Sequence, residues 1–135
     1  MADASLSRVN PTIPRDIPDP ASERHGGDAG TGDITPEALA LRMRNGDVPA
    51  LLDVREPDEW AVARLEPARL IPLNSLPRAV RSLDRDAELV VYCHHGVRSA
   101  AAVAWLRDQG FTRARNLVGG IDRWSLAVDP GVRRY

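Results

Sequence analysis

From Ile34 onward, short apolar runs alternate with segments whose apolar positions recur at helical spacing. "ALLDV" (50–54), "RLIPL" (69–73), "ELVVYC" (88–93) and "RNLVGG" (115–120) have the length and composition of buried strands, and each stops at charged, proline or glycine residues. Between them, "TPEALALRMRNG" (35–46) predicts a helix with Thr35 as N-cap, Pro36 in its first position and Gly46 just beyond its end. "PDEWAVARL" (57–65) and "SLPRAVRSL" (75–83, capped by Ser75) predict two short helices. "RSAAAVAWLRDQG" (98–110) predicts a longer one closed by Gly110, and "IDRWSLAV" (121–128) a last short one. Strands alternating with helices predict an α/β fold: a mainly parallel central sheet of about five short strands with helices on both faces.

Residues 1–33 break this pattern. Rich in Pro, Gly, Asp and Ser, they carry too few apolar side chains to offset the entropy of ordering them, which predicts a disordered leader or linker ahead of a domain over 34–135. A chain of 135 residues with 43% hydrophobic residues suits one such domain and its core. All 18 basic residues are Arg, and the formal charge is −1, which argues against nucleic acid as the main ligand. The single cysteine, Cys93, excludes an internal disulfide and a zinc site built on several thiolates. With no apolar run long enough for a signal or a membrane span, the expected setting is reducing and cytoplasmic, away from membranes.

Cys93 lies where an apolar strand ends and the loop Cys93-His94-His95-Gly96-Val97-Arg98 runs straight into a helix. In open α/β sheets, ligands bind outside the carboxyl ends of strands. A loop wrapped over a helix N-terminus turns backbone N–H groups inward, and the helix dipole adds positive potential. Gly96 gives the backbone the freedom to close such a ring. The expected chemistry is a thiolate nucleophile in an anion-binding cradle. A cysteine that merely filled a strand end would not need this setting.

The segment "VVYCHHGVRSAAAVAWLRDQGF" resembles the active-site segment of rhodanese-like domains: a strand, then Cys-x-x-Gly-x-Arg-Ser/Thr, then a helix. "LLDVREPDEW" and "NLVGGIDRW" resemble that family's upstream and downstream motifs, in the right order over Ile34 to about Ala127. The ending "AVDPGVRRY" resembles the C-terminal rhodanese-like domains of adenylyltransferases that activate sulfur-carrier proteins. The resemblance implies a rhodanese-like fold and a sulfurtransferase. In that chemistry Cys93 takes the outer sulfur of a small anionic donor such as thiosulfate as a persulfide and passes it to an acceptor, including a protein sulfur carrier. It implies that the backbone N–H groups of His94, His95, Gly96, Val97, Arg98 and Ser99 cradle the sulfur, that Arg98 attracts the donor and that Arg55 lies near the pocket. It requires no cofactor.

Other residues are read more plainly. His94 and His95, adjacent on one loop, point apart and lack further ligands, so no metal is expected there; they would tune donor or acceptor preference. A cation at Arg98 opposes the helix dipole, which suits an anion site better than an idle surface position. Asp53 is expected to brace Arg55 or nearby backbone. Gly119 and Gly120 read as a turn, and Trp60, Trp105 and Trp124 as packing residues. Where the family often has Gly-His-Ile-x-Gly-Ala, this chain has Ala63-Arg64-Leu65-Glu66-Pro67-Ala68, a departure that touches a turn rather than the thiol. Two rival functions remain: a non-catalytic rhodanese-like module that binds a partner, and a Cys-dependent phosphatase. Loss of the cysteine would mark the former. The latter enzymes place Arg six residues after Cys, and Arg98 comes five after Cys93.

Overall fold

The computed structural model describes residues 32–135. In chain order the elements are β1 (Asp33–Ile34), α1 (Pro36–Arg44), β2 (Ala50–Asp53), α2 (Pro57–Val62), β3 (Arg69–Leu70), α3 (Leu76–Ala79), β4 (Leu89–Tyr92), α4 (Val97–Asp108), β5 (Ala114–Leu117) and α5 (Gly120–Ala127). Short 3-10 turns at Leu73–Ser75 and Val80–Ser82 flank α3. The strands form one sheet in the order β1-β5-β4-β2-β3, and every pairing is parallel. The architecture is the expected α/β one.

Side-chain alternation divides the core in two. On one face Leu52, Val54, Leu89, Val91 and Cys93 pack with Leu76 of α3 and with Ala101, Ala102, Trp105 and Leu106 of α4. On the other, Leu51, Val90 and Tyr92 pack with Leu39 and Ala40 of α1 and with Ile121 and Trp124 of α5. Because helices cover both faces, the central strands read as unbroken apolar runs. All four residues of β4 are buried, and each such Val or Leu contributes about 1.5–3 kcal/mol. A charge at Val91 would be stranded at the centre of the sheet.

Several local expectations are corrected. β1 went unread, because two residues show no period; its Asp33 and Ile34 pair with Asn116 and Leu117 of β5. Asp33 therefore belongs to the domain rather than to the leader, while residues 1–31 of that expected leader lie outside the described residues. The third strand stops at Leu70: Ile71 and Leu73 still donate to the carbonyls of Asp53 and Val54 at 2.9 and 3.1 Å, but Pro72 between them has no N–H to continue a ladder. Thr35 caps α1 as expected, accepting from Ala38 N at 3.1 Å. Ser75 does not cap α3 with its side chain, because its helical backbone already sits in the preceding 3-10 turn. Helix α2 ends at Val62, where Ala63 turns extended.

The parallel register carries the ends of β2, β4 and β5 to one edge of the sheet. Residues 54–56, 93–96 and 118–120 meet there.

Candidate active site

The turn after β4 is built around the sulfur. Cys93 is 1% exposed. Its Sγ accepts from Gly96 N at 3.1 Å and from Ser99 N at 3.3 Å, and Ser99 Oγ lies 3.3 Å away. Gly96, at φ +97°, lets the loop curl back over the thiol in a left-handed conformation that a side chain would strain. It also passes close to Gly119, whose N would lie 3.2 Å from an added Cβ. Helix α4 starts at Val97, so its positive end faces the sulfur.

A second helix fixes the polarity of the loop. At the start of α5, Ile121 N donates to the Cys93 carbonyl at 2.9 Å and Asp122 N to the His94 carbonyl at 3.0 Å. These contacts hold two loop carbonyls toward α5 and leave the far side of the ring for N–H groups. Gly120 permits the approach: a Cβ there would meet His94 O at 2.4 Å and Cys93 O at 2.5 Å. The pair Gly119-Gly120 is thus more than the turn read from sequence. It is the surface on which the cysteine loop rests.

Asn116 of β5 braces the loop from below. Its Oδ1 accepts from the Ser99 hydroxyl at 2.5 Å, and its Nδ2 donates to Gly96 O at 3.3 Å. Asn116 opens the "NLVGGIDRW" stretch, but its role was not read, since nothing local links its side chain to a loop some 20 positions away.

Charged groups form a chain beside the ring. Arg98 donates from Nη1 and Nη2 to the two carboxylate oxygens of Glu59, at 2.8 and 2.9 Å. The attraction of an anionic donor expected of Arg98 is therefore offset by an internal counter-charge. Glu59 also accepts from Tyr135 Oη at 2.9 Å and closes a capping box with Glu56 N at 3.0 Å. Burial disfavours its charge, yet the bonds from Arg98, the Glu56 backbone and Tyr135 outweigh it and hold the carboxyl down at about 2. Burial pushes the Tyr135 hydroxyl up to about 12; the bond from Arg55 opposes this, and donation to Glu59 reinforces it. Tyr135 is therefore a neutral phenol at physiological pH.

Arg55 does not line a pocket. It is 0% exposed, and its guanidinium donates to Asp53, to the carbonyls of Glu59 and Ala63, and to Tyr135 Oη. A donor anion cannot reach it, so the expected substrate contact is replaced by a brace between β2, α2 and Tyr135. Asp53 is also 0% exposed and takes the bracing place expected of it, binding both the backbone N and the side chain of Arg55.

The histidines do not point apart as expected: their ring centroids lie 3.9 Å from one another, with the planes tilted by 35°. His94 stacks on Tyr135 with ring centroids 3.9 Å apart and planes 9° from parallel, and its Nε2 is buried with no hydrogen-bond partner. Burial first, then the neighbouring His95, lower its pKa, so the ring is uncharged at neutral pH. His95 is exposed, its Nδ1 3.9 Å from Asp122. Val97 is also exposed. Among the described residues no group of three or more His, Cys, Asp or Glu is arranged to hold a metal ion, and no helix is long and apolar enough to cross a membrane.

Such an arrangement can hold one sulfur anion in a ring of N–H groups and can stabilise charge on a second sulfur bonded to it. Comparison with known proteins gives the same loop a lineage. The Rhodanese-like domain profile matches residues 35–127. The chain is 38% identical over 104 residues to the probable adenylyltransferase/sulfurtransferase MoeZ of Mycobacterium tuberculosis, covering 76% of this chain but only 26% of that protein. It is 37% identical over 92 residues to the thiosulfate sulfurtransferase GlpE of Pseudomonas putida, covering 67% of this chain and 82% of that one. A crystal structure of a rhodanese-related protein from Thermoplasma volcanium aligns with a TM-score of 0.67 at 32% identity, over 77% of this chain and 99% of its own. With the profile matched over residues 35–127 and a relative 37% identical over 67% of the chain's length, the chain belongs to the rhodanese-like domain family.

Proposed function

We propose that the protein is a sulfurtransferase that carries a sulfane sulfur on Cys93. The Cys93 thiolate attacks the outer sulfur of a thiosulfate-type donor. A Cys93 S–S bond forms, the donor's S–S bond breaks, and sulfite departs with that bond's electron pair. A nucleophilic acceptor, such as the thiolate of a small molecule or a group on a sulfur-carrier protein, then attacks the outer sulfur and releases the Cys93 thiolate. The N–H groups of His95, Gly96, Val97, Arg98 and Ser99 hold the transferred sulfur while it is anionic. Because Glu59 offsets Arg98, the donor's charge is met mainly by these N–H groups and by the N-terminus of α4.

The observation that carries this reading is the placement of Cys93 Sγ within 3.1 Å of Gly96 N and 3.3 Å of Ser99 N in so short a loop. It supports a cargo of one atom. A tetrahedral phosphoryl group needs donors at about 2.7–3.1 Å from each of several oxygens and hence a wider ring. Similarity to MoeZ and GlpE supports sulfur transfer, and the thiosulfate activity in GlpE's name supports a small-anion donor.

Mass spectrometry after exposure to thiosulfate tests the proposal. The wild type gains the mass of one sulfur atom, and Cys93→Ser gains nothing. An unmodified protein that takes no sulfur is a binding module. One that cleaves aryl phosphates through Cys93 is a phosphatase.

A further inference from the structure

Ser99 Oγ sits between two groups that compete for its single proton. On one side the hydroxyl donates to Asn116 Oδ1 at 2.5 Å; on the other, Cys93 Sγ lies 3.3 Å away with either atom able to donate. The orientation of the Asn116 amide is set independently, because its Nδ2 donates to Gly96 O at 3.3 Å. Its carbonyl oxygen, not its amide nitrogen, therefore faces Ser99. In this arrangement Ser99 offers the sulfur a lone pair. That suits a protonated thiol, whose S–H can donate to Oγ, and it repels a thiolate. To serve the thiolate, the hydroxyl must rotate its proton from Asn116 to sulfur, which leaves a buried amide oxygen without its donor.

We infer that Asn116 is a positioning residue whose amide oxygen withholds the Ser99 proton from the resting sulfur, so that Ser99 and Asn116 form a two-position proton switch set by the charge on Cys93. In one position the proton lies on the Asn116 side and the cysteine is held as a thiol. In the other it lies on the sulfur side and stabilises the anion left when the outer sulfur departs. The Ser99 hydroxyl keeps its proton and only turns about the Cβ–Oγ bond, while the thiol's own proton passes to solvent as the thiolate forms. The switch biases a free cysteine toward the less nucleophilic thiol and yields when a donor or acceptor places charge in the cradle. This inference rests on the sulfur-transfer reading for its purpose, but its physical content concerns the thiol alone.

The charged and titratable groups around Cys93 are the same in each state: Arg98 on α4 with its partner Glu59 on α2, Asp122 on α5, the Asp53–Arg55 pair after β2, and Tyr135. His94 and His95 on the loop itself complete the set. A change made at Asn116 leaves all of these in place.

The test is the rate of Cys93 alkylation by iodoacetamide across pH, a readout that needs no sulfur donor. Asn116→Ala removes the competing acceptor and frees the Ser99 proton for sulfur, so at a fixed pH below the wild-type midpoint alkylation rises about fivefold, the worth of one hydrogen bond. Asn116→Asp keeps an acceptor toward Ser99 and strengthens it, so alkylation at that pH falls, and by more than the through-space effect of the new carboxylate, which is read as the fall that remains in a Ser99→Ala background. Both variants lose the bond to Gly96 O, so an effect of loop loosening alone would move them in the same direction. In a Ser99→Ala background, Asn116→Ala has no further effect. If Asn116→Ala does not fold, Asn116→Val suits a strand and lacks the same oxygen. Equal or like-signed shifts in the two variants, an Asn116→Ala shift that survives in Ser99→Ala, or an Asn116→Asp shift of the same size with and without Ser99, overturn the inference. Failure of thiosulfate to load the wild type would overturn the sulfur-transfer reading while leaving these alkylation rates to decide the switch.

Discussion

The hydroxyl of Tyr135 lies 2.7 Å from Arg55 Nη1 and 2.9 Å from Glu59 Oε2, accepting from the one and donating to the other. A single phenol thus joins a fully buried cation after β2 to the anion that pairs with Arg98, and its ring stacks on His94 of the cysteine loop. Tyr135→Phe keeps the stacking and removes both bonds. It should cost about 1–2 kcal/mol in urea denaturation, because charged groups lose a partner. Tyr135→Ala should cost more and should also raise the alkylation rate of Cys93 by uncovering the His94 side of the loop.

Glu59 should leave a signature in acid. Its carboxyl titrates at about 2 in the folded protein and near 4.5 when free. A depressed carboxylate contributes stability that is full above the unfolded value and lost as pH falls through the folded one. Between pH 5 and pH 2, therefore, the unfolding free energy of the wild type should decline more steeply than that of Glu59→Gln. Parallel profiles would mean that Glu59 gains nothing from Arg98 and Tyr135.

Arg55→Lys tests whether Arg55 is a brace. A lysine cannot reach Asp53, two backbone carbonyls and Tyr135 at once, so buried acceptors are left unpaired. The variant should lose about 3 kcal/mol or more in chemical denaturation. If it still folds, its affinity for thiosulfate should be unchanged, since the anion does not contact this residue.

Gly120→Ala tests the seat of the loop. The added Cβ would sit 2.4 Å from His94 O, in a backbone with φ +63°. The expected loss is roughly 2–4 kcal/mol of stability. In whatever fraction folds, sulfur loading should slow by about 100-fold, the scale for displacing a reacting group by an ångström. Normal loading by a destabilised variant would show that α5 supports the loop without aiming it.

What the sequence disclosed depends on how far apart the cooperating residues lie. Cys93, Gly96, Arg98 and Ser99 fall within seven residues, so a strand, a turn and a helix start in one stretch were enough to expect N–H groups gathered around the cysteine sulfur. The parallel sheet was legible for a similar reason, because apolar runs alternated with capped helices. Glu59, Asn116 and Tyr135 reach the site from α2, β5 and the segment after α5; each lies in a stretch whose resemblance to the family was noted, but nothing local says what its side chain touches. Their roles appear only once the register is known. Arg55 was misplaced for the opposite reason. The end of β2 does lie beside the site, but the partners that turn its side chain inward are Asp53 and the carbonyl of Ala63, and only the second of these needed the fold to be seen.

The bonds from Ile121 and Asp122 to the carbonyls of Cys93 and His94 have a consequence for synthesis. A ribosome completes the cysteine loop before it has made the helix that shapes it. Until some 30 further residues have emerged and α5 has docked, the thiol belongs to an unformed turn, where its peptide carbonyls are free to point anywhere. During that interval Cys93 is an ordinary thiol, open to any oxidant or disulfide it meets. Its discrimination is acquired late, as a property of the finished molecule.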